Sequence, residues 1–524
     1  MNDAPAPFPS PWWERRWFIA AAILLSTIPL LYPPIAPLVD LPGHIGRFHV
    51  ELNLANSPWL QRYYEFHWSL TGNLGVDLLI IPLAKLFGVE LGTKLIILTI
   101  PPLTVAGFLL VAREVHGRVP PTALFAIPFA YGQPLLYGFV NYALSMALAF
   151  LGLALWLRLA RTGQFRLRAV VFVPISFVVF ICHTFGWGTL GLLCLSAEVV
   201  RLHDDGRSWP RSLVPAGINL LCLTGPFLLL FFWRHGAAGG TTGDWLNWQA
   251  KLLWLETALR DRWSYYDWLG VIATTAVLIG SILSDRLTFS RNLAVSALAM
   301  VMLFTLLPTI VFGSAFADMR VVPFMIATAL LAIHFRDAVD VRLARSIAVA
   351  GLLFTVVRLA TNTVSFAMAS DAMQRDLAIT DRLPMGARLL YLTGQPCGDK
   401  WELAHKSQLG SMLIVRRDAL VNNQWEVPGA PLLLIKDRER LGWFAYDPSQ
   451  HVRPNACGTS AHWAINRSLA VFPRDQFDYV WITDAPPFDP RLVAGWQLLR
   501  RNGTSLLFRI RPETTAIVQG STRT

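Results

Sequence analysis

Residues 95–112, LIILTIPPLTVAGFLLVA, form an uncharged apolar run between Lys94 and Arg113. A transmembrane helix needs about 20 predominantly apolar residues, so this run predicts a helix that crosses a bilayer. The whole chain agrees, because 54% of its 524 residues are hydrophobic and only 15% are charged, against roughly a quarter charged in soluble proteins. This composition excludes a soluble, disordered, fibrous or disulfide-scaffold protein.

Similar runs elsewhere predict a polytopic α-helical membrane protein with about 11 transmembrane helices. The shorter run 74–88 contains Asp77, Pro82 and Lys85, and it is placed outside the bilayer core. The predicted spans are 17–37, 95–112, 121–136, 141–157, 169–187, 188–200, 213–233, 268–284, 292–313, 321–335 and 346–366.

Basic residues distinguish the two faces of this predicted membrane module. Sixteen arginines lie in loops on the N-terminal side, whereas the longer loops of the opposite side hold nine basic residues. Because cytoplasmic loops carry the excess of Lys and Arg, we predict a cytoplasmic N-terminus at 1–16 and a transmembrane module at 17–368. Its long outer loops are 38–94 and 234–267. The net charge of +11 then reflects topology, and no nucleic-acid partner is expected.

The C-terminal segment 385–524 is predicted to be an extracytoplasmic α/β domain. Strand-like runs at 388–392, 431–436, 479–483 and 505–510 are separated by turns and helical stretches.

Cysteine usage fits an exported position for this domain. Cys397 and Cys457 are its two cysteines, an even number where oxidation can occur, so they are candidates for a disulfide. Two free thiols are the alternative. The chain has no CxxC, HExxH or His-rich cluster, so a structural zinc site has no support.

The densest group of ionisable residues follows the first predicted span. The run Val39-Asp40-Leu41-Pro42-Gly43-His44 emerges on the outer face. If Pro42 occupies the first turn of a helix, Asp40 lies near its N-cap. Asp40 is therefore either a catalytic carboxylate or simply the cap of that helix.

Further polar residues lie at or near the same predicted membrane level. His183 is open to a packing role, and Arg358 to a position in which it snorkels to the outer headgroups. The residues at this level are Asp40, His44, Glu65, His67, Asp77, Asn141, His183, Asp318, Arg320 and Arg358.

The outer loop 234–267 interleaves aromatic and basic side chains. It holds Trp245, Trp248, Trp254, Trp263, Tyr265 and Tyr266 beside Lys251, Arg260 and Arg262. This pattern indicates an amphipathic helix in the membrane interface. A lid over a lipid-linked or sugar-bearing substrate is the alternative.

The chain resembles the polyprenyl-phosphate-dependent membrane glycosyltransferases of the GT-C superfamily. The resemblance rests on an acid just after the first span, a long first outer loop, many further spans and a C-terminal outer domain. It is similar to uncharacterised bacterial members with an Asp-x-Pro-x-His motif, here Asp40-Leu41-Pro42-Gly43-His44. Asn141 stands where many relatives carry a second outer acid, and no WWD-type motif is present.

The resemblance implies transfer of a hexosyl or pentosyl group, with inversion, from a polyprenyl-phosphate donor in the bacterial inner membrane. The acceptor would be a glycan, lipid or protein at the periplasmic or extracellular face. Asp40 would act as the general base with His44 beside it, and Arg320 and Arg358 would bind phosphate, with Asp318 orienting Arg320. The remaining substrate-binding candidates are Asn141, His183, Glu65 and His67. No cofactor is certain, and the need for a divalent metal stays open.

Two other classes of function fit the same sequence. A flippase or transporter of lipid-linked sugars would share the lipid groove and the interfacial aromatics, but pseudo-repeated halves, which are common in transporters, are not visible. A non-catalytic membrane scaffold with an exported binding domain would leave Asp40 as a helix cap only.

Overall fold

The computed structural model describes residues 11–229, 240–336, 340–398, 400–426, 432–458 and 462–510. Residues 1–10, 230–239 and 511–524 lie outside these ranges. They belong to the predicted N-terminus, the predicted span 213–233, the predicted outer loop 234–267 and the predicted C-terminal domain. The described helices are α1 Arg16–Leu25, α2 Ile28–Leu31, α3 Leu41–Asn53, α4 Pro58–Tyr63, α5 Gly75–His116, α6 Gln133–Leu136, α7 Val140–Arg161, α8 Phe165–Cys182, α9 Thr184–Asp204, α10 Trp209–Asn219, α11 Trp248–Glu256, α12 Ser264–Leu283, α13 Arg291–Leu306, α14 Val322–Leu331, α15 Val341–Ala378, α16 Met412–Arg417, α17 Arg438–Leu441 and α18 Ile465–Val471.

Apolar helices dominate the first three quarters of the chain, as predicted. In the described part, six helices are long and apolar enough to cross a membrane, namely α5, α7, α8, α9, α12 and α15. Seven meet this condition if Trp209–Asn219 and Leu221–Leu229, bent by 45°, form one span. The predicted number of about 11 is not confirmed, because Arg16–Leu31, Arg291–Leu306 and Met319–Leu331 are shorter apolar helices.

The predicted span 121–136 does not form a single α-helix. The chain forms a 3-10 helix at Pro121–Tyr131 and then the short helix α6. Pro128 lies inside the 3-10 segment and Pro134 in the first turn of α6. Pro128 lacks the N–H that the interior of an α-helix needs, whereas Pro134 favours a new helix start, where that N–H has no partner. All residues of the 3-10 segment are buried against their neighbours.

Two helix breaks refine the predicted boundaries. The backbone of α5 is not helical at Gly88, where φ is 76° and ψ is 165°, a conformation that favours glycine. This break coincides with the end of the run 74–88. The boundary predicted between 187 and 188 lies instead at His183, whose extended backbone separates α8 from α9.

The C-terminal segment contains the predicted sheet, in the strand order β5-β4-β8-β10-β9, with β7 also pairing with β4. β4 is parallel to β5, β7 and β8, whereas β10 is antiparallel to β8 and β9. The ten described strands are β1 Tyr64–Phe66, β2 Leu287–Phe289, β3 Ile333–Phe335, β4 Arg388–Gly394, β5 Leu420–Val421, β6 Leu433–Ile435, β7 His451–Val452, β8 Tyr479–Thr483, β9 Gln497–Asn502 and β10 Ser505–Arg509.

Three of the four predicted strand runs belong to this sheet. The fourth, at 431–436, forms β6, which pairs antiparallel with β1 from the predicted first outer loop. The two regions are therefore joined by backbone hydrogen bonds. Within the C-terminal segment, Cys397 and Cys457 form a disulfide with their Cα atoms 5.1 Å apart.

Candidate active site

Helix α3, which carries the Asp-x-Pro-x-His motif, packs against the C-terminal segment through two glycines. A Cβ at Gly43 would lie 2.3 Å from the ring of Trp425, and one at Gly46 would lie 2.9 Å from Gln424 Nε2. Gln424 Nε2 also donates to the carbonyl of Gly43, at 3.2 Å. Because these positions admit no side chain, the two glycines allow the C-terminal segment to lie directly beside the motif.

Asp40 occupies the N-cap position of α3, but its side chain makes no capping hydrogen bond. Its backbone N–H donates to the carbonyl of Tyr137, at 3.0 Å. Burial raises the pKa of Asp40 to about 7, and the charge of Asp447 adds to this, while Arg320 opposes it. The side chain of Asp40 therefore does not cap the helix in this structure, and its carboxyl group titrates near neutral pH.

The turn that follows α6 contacts both Asp40 and Arg320. Gly138 has φ of 89°, and a Cβ there would lie 2.8 Å from the backbone nitrogen of Asp40. The ring of the next residue, Phe139, lies 4.2 Å from the Arg320 guanidinium carbon. Tyr142 Oη donates to the carbonyl of Arg320, at 2.7 Å. One turn thus positions both the carboxylate and the cation.

Arg320 is buried, with 6% of its surface exposed, and it has no carboxylate within ion-pair distance among the described residues. Its Nη2 donates to Ser314 Oγ at 2.9 Å and to the Ala315 carbonyl at 3.1 Å, and its Nε has no partner in the described chain. A buried cation without a counter-ion is costly. Arg320 is therefore available to an anionic ligand.

His183 contacts the same aromatic turn. Its ring packs edge-on against Tyr142, with centroids 5.4 Å apart, and Arg320 lies 5.8 Å from that Tyr142 ring. His183 Nδ1 accepts a hydrogen bond from the backbone N–H of Phe185, at 3.1 Å. His183 thus caps α9 and also packs against the Tyr142 ring that Arg320 contacts.

His44 lies one turn after Asp40, against the C-terminal segment. Its ring is edge-on to Trp425, with centroids 4.9 Å apart, and its Nδ1 lies 3.4 Å from Arg47 Nη2. Burial and the charge of Arg47 hold the pKa of His44 well below its ordinary value. His44 is therefore a neutral imidazole at the site and does not bring a positive charge to Asp40.

A buried ionic cluster supports the far side of α3. Arg47 Nη1 pairs with Asp77 Oδ1 at 2.7 Å. Burial, and then the charge of Asp77, raise the pKa of Glu51 to about 8, while Arg47 opposes this shift. Glu51 is consequently neutral at pH 7, so one arginine balances one carboxylate in this cluster.

Asn141 has a supporting position. Its Oδ1 accepts from the backbone N–H of Val76 at 2.5 Å, and its Nδ2 donates to the carbonyl of Asn73 and to Asp77 Oδ2, at 2.8 and 2.9 Å. These bonds hold the start of α5 against α7. The side chain is occupied by its own protein, so the expectation of a substrate-binding Asn141 is not met by this geometry.

Asp318 does not orient Arg320 as expected. Its carboxylate pairs with Lys251 Nζ at 3.1 Å, and accepts from Thr309 Oγ1 and the backbone N–H of Met319. Lys251, predicted to lie in an interfacial helix, is 1% exposed on α11. Because a buried carboxylate binds its nearest buried cation, Asp318 ties α11 to the Met319–Val321 turn.

Arg358 is likewise occupied, and it does not snorkel to a headgroup layer. Its Nη1 pairs with Asp267 Oδ1 at 2.7 Å, and its Nη2 donates to the carbonyl of Leu259 at 2.6 Å. The second oxygen of Asp267 accepts from Trp401 Nε1 at 2.7 Å. This ion pair joins α15, α12 and the C-terminal segment, so the Arg358 guanidinium is occupied by the protein itself, and its binding of phosphate stays a prediction.

Glu65 and His67 pair with each other at the surface. His67 Nε2 lies 3.2 Å from Glu65 Oε2, and both side chains are about half exposed. Glu65 lies in β1, which pairs with β6, and the backbone N–H of His67 donates to the carbonyl of Leu432 just before β6. The expectation that they bind substrate near Asp40 has no support in these contacts.

The sequence did not point to Asp447, the acid whose charge acts on Asp40. Asp447 Oδ1 accepts from Gln408 Nε2 at 2.9 Å and from Gln450 Nε2 at 2.5 Å. Gln408 Oε1 in turn accepts from Asn423 Nδ2 at 3.0 Å. This amide network brings a second carboxylate to the site, at a place in the chain far from Asn141.

One sequence signal could have indicated this network. The run Asn422-Asn423-Gln424-Trp425 directly follows β5, and the carboxyl ends of parallel strands are where ligand-contacting residues collect. β5 is only two residues long, too short for alternation of hydrophobicity to reveal it.

In the described residues, no group of three or more His, Cys, Asp or Glu side chains could hold a metal ion.

Comparison with known proteins gives likenesses of structure only. No protein-family model matches the chain, and no curated protein matches it. The chain is similar to the crystal structure of ArnT from Cupriavidus metallidurans bound to undecaprenyl phosphate, with 13% identity over 95% of this chain and 98% of that chain, at a TM-score of 0.47. It is also similar to the apo state of the same protein, with 13% identity over 94% and 97% of the two chains, at a TM-score of 0.44.

Proposed function

We propose that this protein is a membrane glycosyltransferase that moves a sugar from a polyprenyl-phosphate donor to an acceptor at the outer face of the membrane. The observation that carries the proposal is that a half-buried carboxylate, Asp40, lies close enough to a buried arginine, Arg320, to feel its charge, while that arginine makes no ion pair in the described chain. One turn of the chain positions both groups.

Asp40 supplies the base. Its carboxylate takes the proton from an acceptor hydroxyl, whose oxygen forms a bond to the anomeric carbon of the donor sugar. A general base works best when its pKa lies near the working pH, and the pKa of Asp40 is about 7. His44 is neutral because of its burial, so it adds no positive charge that would lower the pKa of Asp40.

Arg320 stabilises the leaving group. The bond between the anomeric carbon and the phosphate oxygen breaks, and the electron pair stays on the polyprenyl phosphate. The guanidinium of Arg320, which is itself buried, would meet this growing charge, and shielding from water strengthens such an interaction. Its free Nε leaves a donor for a phosphate oxygen.

Replacement of Asp40 by Asn tests the base. The expected result is a rate at least about a hundredfold lower, because the amide cannot take the proton. Thermal stability at pH 8 should equal or exceed that of the wild type, since the neutral amide avoids the cost of a buried charge. Release of free polyprenyl phosphate would be measured in nanodiscs, with a panel of polyprenyl-linked hexoses and pentoses and a membrane extract as the acceptor source.

An Asp40→Asn variant that releases polyprenyl phosphate at the wild-type rate would contradict the base assignment. Asp437→Asn, at an exposed position on the C-terminal segment, is the matched control and should keep full activity. If the wild-type protein moves lipid-linked sugar between leaflets but never releases polyprenyl phosphate, the protein is a flippase instead.

The pH dependence follows from the same pKa. Below about pH 7 the Asp40 carboxyl is protonated and cannot accept a proton. The rate should therefore rise as pH increases through about 7 and level off above it. A rate that is constant from pH 5 to pH 8, measured under saturating donor, would show that Asp40 is not the base.

A further inference from the structure

A cleft of about 490 Å³ lies where α15, the segment at 260–262 and the C-terminal sheet meet. Its wall includes Thr393 and Gly394 at the carboxyl end of β4, and Asp484 just after β8. These strands are parallel neighbours. Ligand sites in parallel sheets open at the carboxyl ends of the strands, so the cleft has the position of a binding site.

Basic side chains line this cleft. The described lining residues include only two acids, Glu402 and Asp484, against six cations. The cations are Arg260, Arg262, Arg375, Lys400, Lys406 and Arg453. A concave surface of one sign focuses the electrostatic potential and attracts ligands of the opposite sign.

Three of the cations are already balanced by carboxylates. Glu402 pairs with Arg262 at 2.7 Å and with Lys400 at 3.2 Å. Lys406 lies 2.8 Å from both Asp376 and Asp484. These ion pairs use the acids that line the cleft, and they fix the geometry of its floor.

The other three, Arg260, Arg375 and Arg453, have no ion pair in the part of the chain that the structure describes. Arg260 donates to the backbone carbonyls of Trp401 and Lys400, at 2.7 and 2.6 Å. Its guanidinium is thereby held in place without being neutralised. Arginine presents donors in a planar fork that matches carboxylate and phosphate groups, so the cleft is suited to an anion of that shape.

The disulfide holds the rim of the cleft. Cys397 lies between Pro396 and Gly398, which both line the cleft, and its partner Cys457 follows the lining residue Arg453 by four positions. The cross-link therefore joins the two segments that carry the rim. Fixing a binding segment in advance lowers the entropy cost of ordering it around a ligand.

Uncharged polar groups lie beside the cations. Thr393, Gln395 and Ser407 line the same cleft, and a hydroxyl or amide can donate to or accept from the hydroxyls of a sugar. The volume is within the range that holds small ligands. Cations for one acidic group, together with polar groups for several hydroxyls, match a carbohydrate that carries a carboxylate or phosphate.

We propose that this cleft binds an acidic carbohydrate through Arg260, Arg375 and Arg453. The cleft is also lined by Val39 and Tyr137, and the Tyr137 carbonyl accepts from the backbone N–H of Asp40. The cleft thus adjoins the backbone on both sides of the hydrogen bond that holds Asp40, the proposed base. In this further step, which rests on the proposed function, the bound carbohydrate is the acceptor.

Binding to the full-length protein in nanodiscs tests the cleft. Calorimetry would compare trigalacturonate and glucose 6-phosphate with the uncharged maltotriose. We expect at least one acidic probe to bind roughly tenfold or more tightly than maltotriose, and to weaken as salt is raised. The double variant R375A/R453A should lose roughly a hundredfold or more in affinity for that probe, because it removes two sets of charge-assisted hydrogen bonds to the anion.

Arg467→Ala, at an exposed position outside the cleft, removes the same charge and should bind like the wild type. Equal affinity for acidic and uncharged probes, or equal losses in the double variant and this control, would overturn the proposal. So would binding of phosphatidylglycerol vesicles without binding of either acidic sugar, which would identify a lipid headgroup as the ligand.

The Asp40→Asn variant separates this proposal from the proposed function. It should bind the acidic probe as the wild type does while losing turnover. If binding is kept and turnover is also normal, the cleft stands and the base assignment fails. If turnover requires Asp40 but no acidic sugar binds, the cleft proposal fails alone.

Discussion

Two arginines are both buried: Arg320, just before the start of α14, with 6% of its surface exposed, and Arg358, near the middle of α15, with 3%. Arg358 pairs with Asp267 at 2.7 Å, whereas Arg320 has no carboxylate partner among the described residues. From the sequence, both were predicted to bind phosphate. The difference shows that burial of a cation does not indicate a ligand site unless its counter-ion is also known.

The largest expected effect is on stability, at the paired arginine. Arg358→Ala should destabilise the protein by about 3 to 5 kcal/mol, because it leaves Asp267 as an unpaired buried charge. Thermal unfolding of the detergent-solubilised protein would measure this loss. A double variant with Asp267→Asn should recover part of the stability, and an unchanged melting temperature in Arg358→Ala would contradict the structural role.

The unpaired arginine should show a smaller effect, and on rate instead of stability. Arg320→Ala should lower the release of polyprenyl phosphate by about 10² to 10³, the usual cost of removing one donor that stabilises transition-state charge. Its melting temperature should stay close to that of the wild type, because no buried carboxylate is left without a partner.

Arg320→Lys sharpens this comparison. The lysine keeps the charge but not the fork of donors, so its rate should lie between those of the wild type and Arg320→Ala. If Arg320→Ala is strongly destabilised but each folded molecule keeps the wild-type rate, Arg320 has a structural role like that of Arg358 and does not stabilise the leaving group.

The smallest effect is expected at Asp447. Its charge contributes to the raised pKa of Asp40, so Asp447→Asn should lower that pKa and move the acid limb of the rate profile to lower pH. The shift should be a fraction of a pH unit, and the rate at pH 8 should change little. Asp475→Asn is the control, because the charge of Asp475 does not act on Asp40. If the two variants have the same dependence of rate on pH, Asp447 does not influence the pKa of Asp40.

Local sequence patterns predicted the elements better than their partners. The apolar runs indicated the long helices, and strand-like runs separated by turn residues indicated β4, β8 and β10. The site depends on contacts across long separations, since Asp267 is 91 residues from Arg358 and Lys251 is 67 from Asp318. No periodicity in a single sequence encodes such pairings.

The same limit explains why Asp40 was identified and Asp447 was not. Asp40 stands in a short motif beside a clear helix start, where Pro42 fixes the first turn. Asp447 is placed by an amide network whose members come from three separate segments of the chain. Its position next to Asp40 is a property of the tertiary structure alone.

Helix α15 runs without interruption for 38 residues, from Val341 to Ala378. Arg358, which anchors it to α12, and Asp376, which holds Lys406 in the floor of the basic cleft, are five turns apart on it. A helix of this kind behaves as a stiff rod about 27 Å long between these two points. Any tilt of α15 against the neighbouring helices therefore also moves its end at the cleft.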